Sequence, residues 1–330
     1  MPELPDLQAA LALHRRVPVV DGHCDSVLDL WAGKRRLGEA SPQGHLDFPR
    51  ARAGGLSGQV FALWPAPETY DKPSRRVLQL LDALLMELER CPDQARLVTR
   101  AEEIEGCRRD GVLAVIVGIE GGEALEGDLA LLRTYYRLGV RVLGLTWNHR
   151  NLLADGAMEW ETGGGLTRFG REVVREMNRL GMVVDGAHLS PAGLRDLLEV
   201  SEHPVIVSHG NCRALWDHPR NLTDDQIRAL AERGGVFGIS FVRAFMGEPG
   251  QVTVETVADH IDHVCQLLGT SAHVGLGSDF DGTGELPLGL EGAQALPRLT
   301  AELLRRGYRE PDLAAILGGN YLRVFRQVLR

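Results

Sequence analysis

Residues 113–119 read LAVIVGI, an almost unbroken apolar run that ends directly before Glu120. A run of this length, rich in β-branched residues, is typical of a strand buried on both faces of a parallel sheet. Seven further runs share this character: VPVVDGH (17–23), GQVFAL (58–63), VRVLGLT (140–146), MVVDGA (182–187), PVIVSH (204–209), GVFGIS (235–240) and HVGLGSD (273–279). The sequence therefore predicts eight buried parallel strands.

Helical patterns separate most of these runs, with apolar residues at helical spacing and capping residues at the ends. The clearest of them are 75–90, 166–181, 190–200, 222–235 and 253–269. Eight strands alternating with helices favour an α/β fold of the closed (β/α)₈, TIM-like type over an open sheet. Three extra C-terminal helices are predicted after residue 290, whereas 25–57 is predicted as loop. We expect residues 1–330 to form one barrel domain.

The composition excludes several classes of protein. The formal net charge is −9, from 45 acidic and 36 basic residues, which argues against a nucleic-acid partner because such binding depends on Lys and Arg neutralising phosphates. No apolar run approaches the roughly 20 residues of a membrane span, and the N-terminus does not resemble a signal peptide. The five cysteines are widely spaced and odd in number, which favours a reduced compartment. We therefore expect a cytoplasmic protein without membrane contact.

Metal-ligand residue types follow the predicted strands at their carboxyl ends. In a (β/α)₈ barrel these ends converge on one mouth, where the active sites of this fold lie. The residues concerned are His23, Asp25, Glu120, His188 and His209. His23 and Asp25 share a strand face and form one pair of ligands, His188 and His209 form a second pair, and Glu120 can bridge two ions. Imidazole with carboxylate favours two zinc ions, with manganese, cobalt or iron as alternatives.

Other reactive side chains lie in sequence contexts that are less typical of catalytic or metal-binding residues. His260 and His263 lie three apart on one helix and are predicted to form a solvated face. Ser208 and Ser278 adjoin candidate ligands, but neither lies in a G-x-S-x-G motif, so a serine hydrolase is disfavoured. Cys24 and Cys212 are interpreted as small core residues.

Seven short motifs, taken together and in this order, resemble the membrane (renal) dipeptidases, a family of zinc peptidases. The motifs are VDGHCD, GIEGG, LTWNHRN, DGAHLS, VIVSHGNCRAL, HPRNLTDD and VGLGSDFDG, and the likeness continues to GGNYLRVF at 318–325. The resemblance thus spans nearly the whole chain. It implies a barrel fold, the ligand set named above, a dipeptide substrate and a homodimer.

The resemblance also implies roles for two residues outside the ligand set. Asp279 corresponds to the carboxylate that takes a proton from the bridging water and passes it to the leaving amine. Arg220 corresponds to the arginine that holds the free carboxylate of a dipeptide, although the sequence alone favours a surface ion pair.

One position departs from the family pattern. Many members have His in the strand-4 segment, where it contacts the substrate and steadies the developing oxyanion. This chain has Trp147 there, and His149 follows two residues later. Either His149 takes over that role, or the metals alone stabilise the oxyanion and Trp147 shapes the substrate pocket.

The leading hypothesis is a metallo-dipeptidase that hydrolyses dipeptides, L-D pairs among them, by attack of a metal-bridging hydroxide. The first alternative is a related binuclear amidohydrolase acting on N-acyl amino acids or a lactam. The second is of another class, a catalytically silent metal- or ligand-binding barrel.

Overall fold

The computed structural model describes residues 4–330, and parallel strands at its centre close into a barrel. The strands are β1 (Val20–Cys24), β2 (Gly58–Leu63), β3 (Ala95–Leu97), β4 (Leu113–Glu120), β5 (Val140–Gly144), β6 (Val183–Asp185), β7 (Ile206–Gly210), β8 (Val236–Ile239) and β9 (Val274–Leu276). All eight predicted runs form strands, and only the short β3 was not predicted. The (β/α)₈ prediction is therefore confirmed.

The strand pairings show how the barrel closes. Every pair is parallel, in the order β2-β1-β9-β8-β7-β6-β5-β4, and a pairing between β2 and β4 completes the ring. β3 pairs only with the first residues of β4, where Ala95 lies opposite Leu113. It therefore lies beside the ring of eight and not within it. All carboxyl ends face one mouth, as parallel pairing requires.

Helices cover the outside of the barrel. They are α1 (Leu4–Arg16), α2 (Ser26–Trp31), α3 (Phe48–Ala53), α4 (Pro73–Arg90), α5 (Ala101–Asp110), α6 (Leu129–Arg137), α7 (Arg168–Leu180), α8 (Pro191–Val200), α9 (Asp224–Glu232), α10 (Val254–Leu268), α11 (Leu296–Arg305), α12 (Glu310–Ala314) and α13 (Asn320–Val328). The three predicted C-terminal helices are α11 to α13, with a π-helical turn at Ala315–Gly319 before the last.

Local sequence explains where the predicted helices begin and end. The Ser190 side chain caps α8 by accepting a hydrogen bond from the Gly193 amide, and Thr223 caps α9 through the Gln226 amide. Gly181 follows α7 with φ of 81°, a left-handed conformation that suits glycine at a helix end. The prediction of 25–57 as loop was wrong, because α2 and α3 lie there. Six residues are too few to show helical periodicity.

The lower part of the barrel is closed by an apolar layer to which α13 contributes. Tyr321, Leu322, Phe325 and Val328 pack against inward residues of most strands. The Tyr321 ring reaches far enough for its hydroxyl to donate to the backbone oxygen of Ser208 at 3.3 Å. Glycines at 22, 238 and 275, on three different strands, leave the space it occupies, because a Cβ at any of them would collide with Tyr321. The barrel is thus filled with side chains below the mouth.

The structure corrects one expectation about the two histidines of α10. His260 is buried, with Nδ1 accepting a hydrogen bond from the Cys212 amide at 3.0 Å, so its assignment to a solvated face was wrong. His263 remains partly exposed and contacts Asp224 at 2.7 Å. The five cysteines, all within residues 4–330, are free. Across those same residues, no helix is long and apolar enough to cross a membrane.

Candidate metal centre

The five predicted ligands come together at the barrel mouth, each supplied by a strand end or by the turn that follows it. His23 lies in β1 and Glu120 is the last residue of β4, while His209 lies in β7. Asp25 precedes the first residue of α2. His188 follows β6 in a tight turn with φ of 67°, a left-handed conformation that a histidine adopts only when its surroundings impose it.

The first group of donor atoms joins two imidazoles to Glu120. His188 Nε2 lies 2.8 Å from Glu120 Oε1 and 2.9 Å from His209 Nε2. His209 Nε2 is 3.7 Å from the same Glu120 oxygen. These three donors can therefore converge on one ion.

The second group forms around His23 and uses the other oxygen of Glu120. His23 Nε2 lies 3.3 Å from Asp25 Oδ2 and 3.6 Å from Glu120 Oε2. The three donors can likewise converge on one ion. Glu120 therefore offers one oxygen to each group, with Oε1 facing His188 and Oε2 facing His23.

The chemistry of these donors fits cations. His188 Nδ1 is 2.9 Å from Asn148 Oδ1, and an amide oxygen only accepts, so the proton of this imidazole is on Nδ1 and Nε2 carries a lone pair. That lone pair faces a carboxylate oxygen at 2.8 Å. Asp25 Oδ1, also buried, has no hydrogen-bond partner within residues 4–330. Buried acceptors that face one another without a donor are what a bound cation satisfies.

Burial and like charge perturb the ionisation of the whole group. Burial raises the pKa of Glu120 well above its ordinary value, and the nearby Asp25 and Asp279 add to the rise while His23 opposes it. Burial alone lowers the pKa of His23, but the charges of Glu120, Asp25 and Asp279 outweigh it and raise that pKa well above normal. Burial lowers the pKa of His188 and of His209 well below normal, which keeps both imidazoles neutral. Neutral imidazole is the form that binds metal.

Asp279 lies at the edge of the second group. Its Oδ1 is 3.8 Å from His23 Nε2, and its backbone has φ of 62°. Burial raises the pKa of Asp279 to about 7, with Asp25 adding to the rise and His23 and Arg220 opposing it. A carboxyl with this pKa can take up and release a proton near neutral pH.

Arg220 is a buried cation facing the same mouth. The residue is 4% exposed, and its Nε and Nη2 have no hydrogen-bond partner anywhere in residues 4–330. Burial lowers the pKa of Arg220 to about 10, and the charges of Asp279, Glu120 and Asp185 oppose that fall. The guanidinium therefore stays charged at neutral pH with donors available to an anion. A surface ion pair, the alternative left open by the sequence, does not describe it.

The two residues at the departing position lie in different surroundings. The Trp147 ring is 6.2 Å from that of His188 and 5.0 Å from that of Trp64, measured between ring centroids. The His149 side chain is 66% exposed and contacts Glu159 at 3.2 Å. Trp147 thus lies beside His188, a predicted ligand, whereas the His149 side chain faces outward. Within residues 4–330, His149 is not among the donors of either ligand group.

Sequence reasoning missed two residues that support the ligands. Asn148 contacts His188, as described above, and Asp185 lies beneath His209, where its Oδ2 accepts a hydrogen bond from Ser208 Oγ at 2.5 Å. A signal for Asp185 was present in the sequence. It occurs in Asp-Gly-Ala-His before His188, much as Asp21 occurs in Asp-Gly-His before His23.

Comparison with protein families and curated proteins gives one consistent result. The family described as membrane dipeptidase, peptidase family M19, matches residues 7–330. Dipeptidase 3 of Rattus norvegicus is 37% identical over 332 residues, covering 97% of this chain and 67% of the rat protein. Dipeptidase verJ of Clonostachys rogersoniana is 35% identical over 346 residues, covering 98% of this chain and 87% of the fungal protein. The chain thus spans about two thirds of the length of the rat relative.

Solved structures agree with the sequence matches. A metallopeptidase from Rhodobacter sphaeroides, solved with a phosphinate mimic of the dipeptide L-Ala-D-Ala, superposes with a TM-score of 0.87 at 31% identity, covering 94% of this chain and 99% of that one. A probable dipeptidase from Pseudomonas aeruginosa superposes with a TM-score of 0.90 at 24% identity, covering 98% of each chain. At 24% identity, the likeness to the Pseudomonas protein supports a shared fold only.

Proposed function

The chain belongs to the membrane dipeptidase family, peptidase family M19, and is a metallo-dipeptidase; from this premise we propose that it hydrolyses dipeptides, including L-D pairs, at a centre that holds two zinc ions. His23 and Asp25 would hold one ion, and His188 and His209 the other, with Glu120 between them. The L-D part of the proposal is supported by the dipeptide mimic bound to the Rhodobacter relative.

The observation that carries the metal proposal is the set of buried acceptors without donors. His188 Nε2 faces Glu120 Oε1 at 2.8 Å, with its proton committed to Asn148 on the far side of the ring. Nitrogen and oxygen donors of this kind suit zinc, and also manganese or cobalt. Two such ions, when bound, polarise the scissile carbonyl and lower the pKa of water.

We assign proton transfer to Asp279. Its pKa of about 7, raised by burial, lets it accept a proton from the attacking water and later deliver it to the leaving amine. Asp279 Oδ1 lies 3.8 Å from His23 Nε2, so the carboxylate is next to the ligand group without being assigned to it.

We assign recognition of the substrate carboxylate to Arg220. A buried guanidinium with two unused donor atoms within the described chain is costly unless an anion meets it. The free carboxylate of a dipeptide supplies a planar, bidentate match. Binding there orients the peptide bond toward the ligand groups.

The strand order suggests where the N-terminal residue of the substrate lies. Trp64 follows β2 and Arg220 follows β7, and these strands are opposite each other in the ring of eight. A dipeptide held at Arg220 would therefore extend its N-terminal residue toward Trp64 and Trp147. Of the two sequence alternatives, this arrangement favours Trp147 as a wall of the pocket over His149 as a substrate contact. A homodimer and a cytoplasmic location remain predictions.

The test combines metal content with a substrate panel. Purified protein is analysed for metal per chain, then assayed with dipeptides, L-D dipeptides and N-acyl amino acids before and after chelation. We expect two metals per chain, dipeptide hydrolysis that chelation abolishes, and recovery on addition of zinc. Hydrolysis of N-acyl amino acids with none of any dipeptide would instead support the amidohydrolase alternative.

A further inference from the structure

Two buried aspartates lie beneath the two ligand groups, and each bonds to a serine in or just after a neighbouring strand. Asp21 Oδ2 accepts from the Ser278 amide at 2.9 Å. Asp185 Oδ1 accepts from the Ser208 amide, also at 2.9 Å. Each serine directly precedes a residue of the site. The two arrangements differ in what the serine hydroxyl does.

The hydrogen bonds of Asp185 occupy both of its oxygens. Oδ1 accepts from the amides of Ala187 and Ser208, each at 2.9 Å, and Oδ2 accepts from Ser208 Oγ at 2.5 Å. A carboxylate oxygen of Asp185 can also be grouped with His23 and His209. Because its oxygens are already engaged with Ala187 and Ser208, Asp185 is placed to orient a ligand and not to act as one.

The hydroxyl of Ser208 connects this carboxylate to a metal-ligand histidine. Ser208 Oγ gives its proton to Asp185, so its contact with His209 Nδ1 at 2.9 Å must be as an acceptor. His209 then carries its proton on Nδ1 and directs the lone pair of Nε2 toward His188 and Glu120. We propose that Asp185 and Ser208 are positioning residues that fix the tautomer and ring orientation of His209 for metal binding. The inference rests on the proposed metal centre.

The other aspartate–serine pair supplies a matched control. The Ser278 hydroxyl donates to the backbone oxygen of His23 at 3.3 Å and reaches no ligand imidazole among the described residues. Both serine side chains are fully buried. The Ser278 hydroxyl oxygen also accepts from the Phe280 amide at 3.3 Å. Removing the hydroxyl of Ser278 therefore loses buried hydrogen bonds to the backbone without releasing a ligand ring.

The experiment measures zinc affinity directly, by titrating the metal-free protein in competition with a chromogenic chelator. Loss of a hydrogen-bond partner of a metal-bound histidine typically weakens metal binding about 10- to 100-fold. We expect this loss for Ser208→Ala and near-wild-type affinity for Ser278→Ala. Equal affinities in the two variants, with both folded by circular dichroism, would overturn the proposal.

Asp185→Asn is a second test variant, because it should reverse the direction of the hydrogen bonds that reach His209. Its amide oxygen would accept from the backbone amides, so its NH₂ group would donate to Ser208 Oγ. The hydroxyl would then donate to His209 Nδ1 and move the ring proton to Nε2, the atom that should bind metal. We expect zinc affinity to fall at least as far as in Ser208→Ala.

A spectroscopic readout keeps the proposal testable if either variant fails to fold. Long-range ¹H–¹⁵N NMR spectra of the metal-free wild-type protein report which nitrogen of His209 carries the proton. We expect Nδ1–H in the wild type and Nε2–H in Asp185→Asn. An Nε2–H tautomer in the wild type would overturn the proposal whatever the variants do.

Failure of this inference can be told apart from failure of the proposed function. A wild-type protein that binds no zinc and hydrolyses no dipeptide contradicts the metal centre itself. A wild-type protein that binds two zinc ions, with Ser208→Ala equal to it in affinity, contradicts only the role of Ser208 and Asp185.

Discussion

The two halves of the metal centre use the same kinds of donor but differ in charge. In the His23 half, one imidazole is surrounded by three carboxylates, from Asp25, Glu120 and Asp279, at 3.3 to 3.8 Å. In the other half, His188 and His209 share one carboxylate, and the nearby charges of Arg220 and His23 are positive. The first half is therefore negative in character and the second close to neutral.

This difference in charge supports different roles for the two halves in the proposed mechanism. The carboxylates around His23 raise its pKa, whereas burial and positive neighbours lower that of His188 and His209. The negative half can hold and exchange protons, and it is the half that Asp279 joins. The neutral half presents two lone pairs that are ready for an ion. The proposed function thus assigns proton handling and metal binding to opposite sides of Glu120.

The largest expected effect comes from Asp279→Asn, which removes proton transfer from the negative half while sparing the ligands. Turnover should fall about 10²- to 10⁴-fold, the usual contribution of a general acid–base group. Zinc content should remain two per chain, as measured by elemental analysis alongside kcat. Retained turnover would remove Asp279 from its assigned role and leave the two halves without a functional distinction.

A second prediction concerns how pH affects the two zinc ions. Protons compete with metal ions for the ligands. A group whose pKa is raised must release its proton when an ion binds, so the affinity for that ion falls as the pH falls. His23 is such a group and His188 is not. Between pH 8 and 6, the affinity for the zinc ion held by His23 should fall more steeply than the affinity for the other.

Zinc titrations at the two pH values measure this difference, and matched variants assign it. His188→Gln should leave a pH-sensitive ion, and His23→Gln a less sensitive one. The same pH dependence for both equivalents would show that the charge difference between the halves has no consequence for binding.

Arg220→Lys tests whether the cation beside the neutral half recognises substrate. Lys keeps the charge but loses the planar fork, and a hydrogen bond to a charged group is worth about 1.5–3 kcal/mol. KM for dipeptides should rise about 10- to 100-fold. Dipeptide amides, which lack the carboxylate, are the matched control and should respond little to the substitution. An equal loss for both substrates would contradict carboxylate recognition.

The smallest expected effect compares the two histidines of the neutral half. His188 is oriented by Asn148, which is partly exposed, so water can replace its oxygen in Asn148→Ala. His209 is oriented by fully buried Ser208, where water has no access. Zinc affinity in Asn148→Ala should fall about tenfold or less, the low end of such losses. A loss exceeding that of Ser208→Ala would reverse the expected order.

The candidate ligands could be grouped from the sequence because their positions follow from the fold class alone. Once alternating strands and helices indicate a barrel, the residues that end the strands must share one mouth, so His23, Glu120 and His209 could be grouped although they are far apart in the chain. Arg220 was identified through the family resemblance, whereas its burial could be seen only in the structure.

The supporting contacts could not be predicted in the same way. Asp185 reaches Ser208 only because β6 and β7 pair in one register, with Asp185 opposite Ile206, and nothing in either strand alone specifies that register. The two six-residue helices in 25–57 are too short for their periodicity to be recognised. His260 was assigned to the surface from its helix alone, without the packing against Cys212 that buries it.

The tyrosine that fills the floor of the barrel limits how the scaffold can be redesigned. Tyr321 occupies space left by glycines on β1, β8 and β9, so these strands and α13 form a single module that must be exchanged as a unit. A chimera that imports one of those strands with alanine in place of its glycine would force the ring out. Loops at the mouth carry no such coupling to Tyr321, and substrate range can be engineered there with the floor left intact.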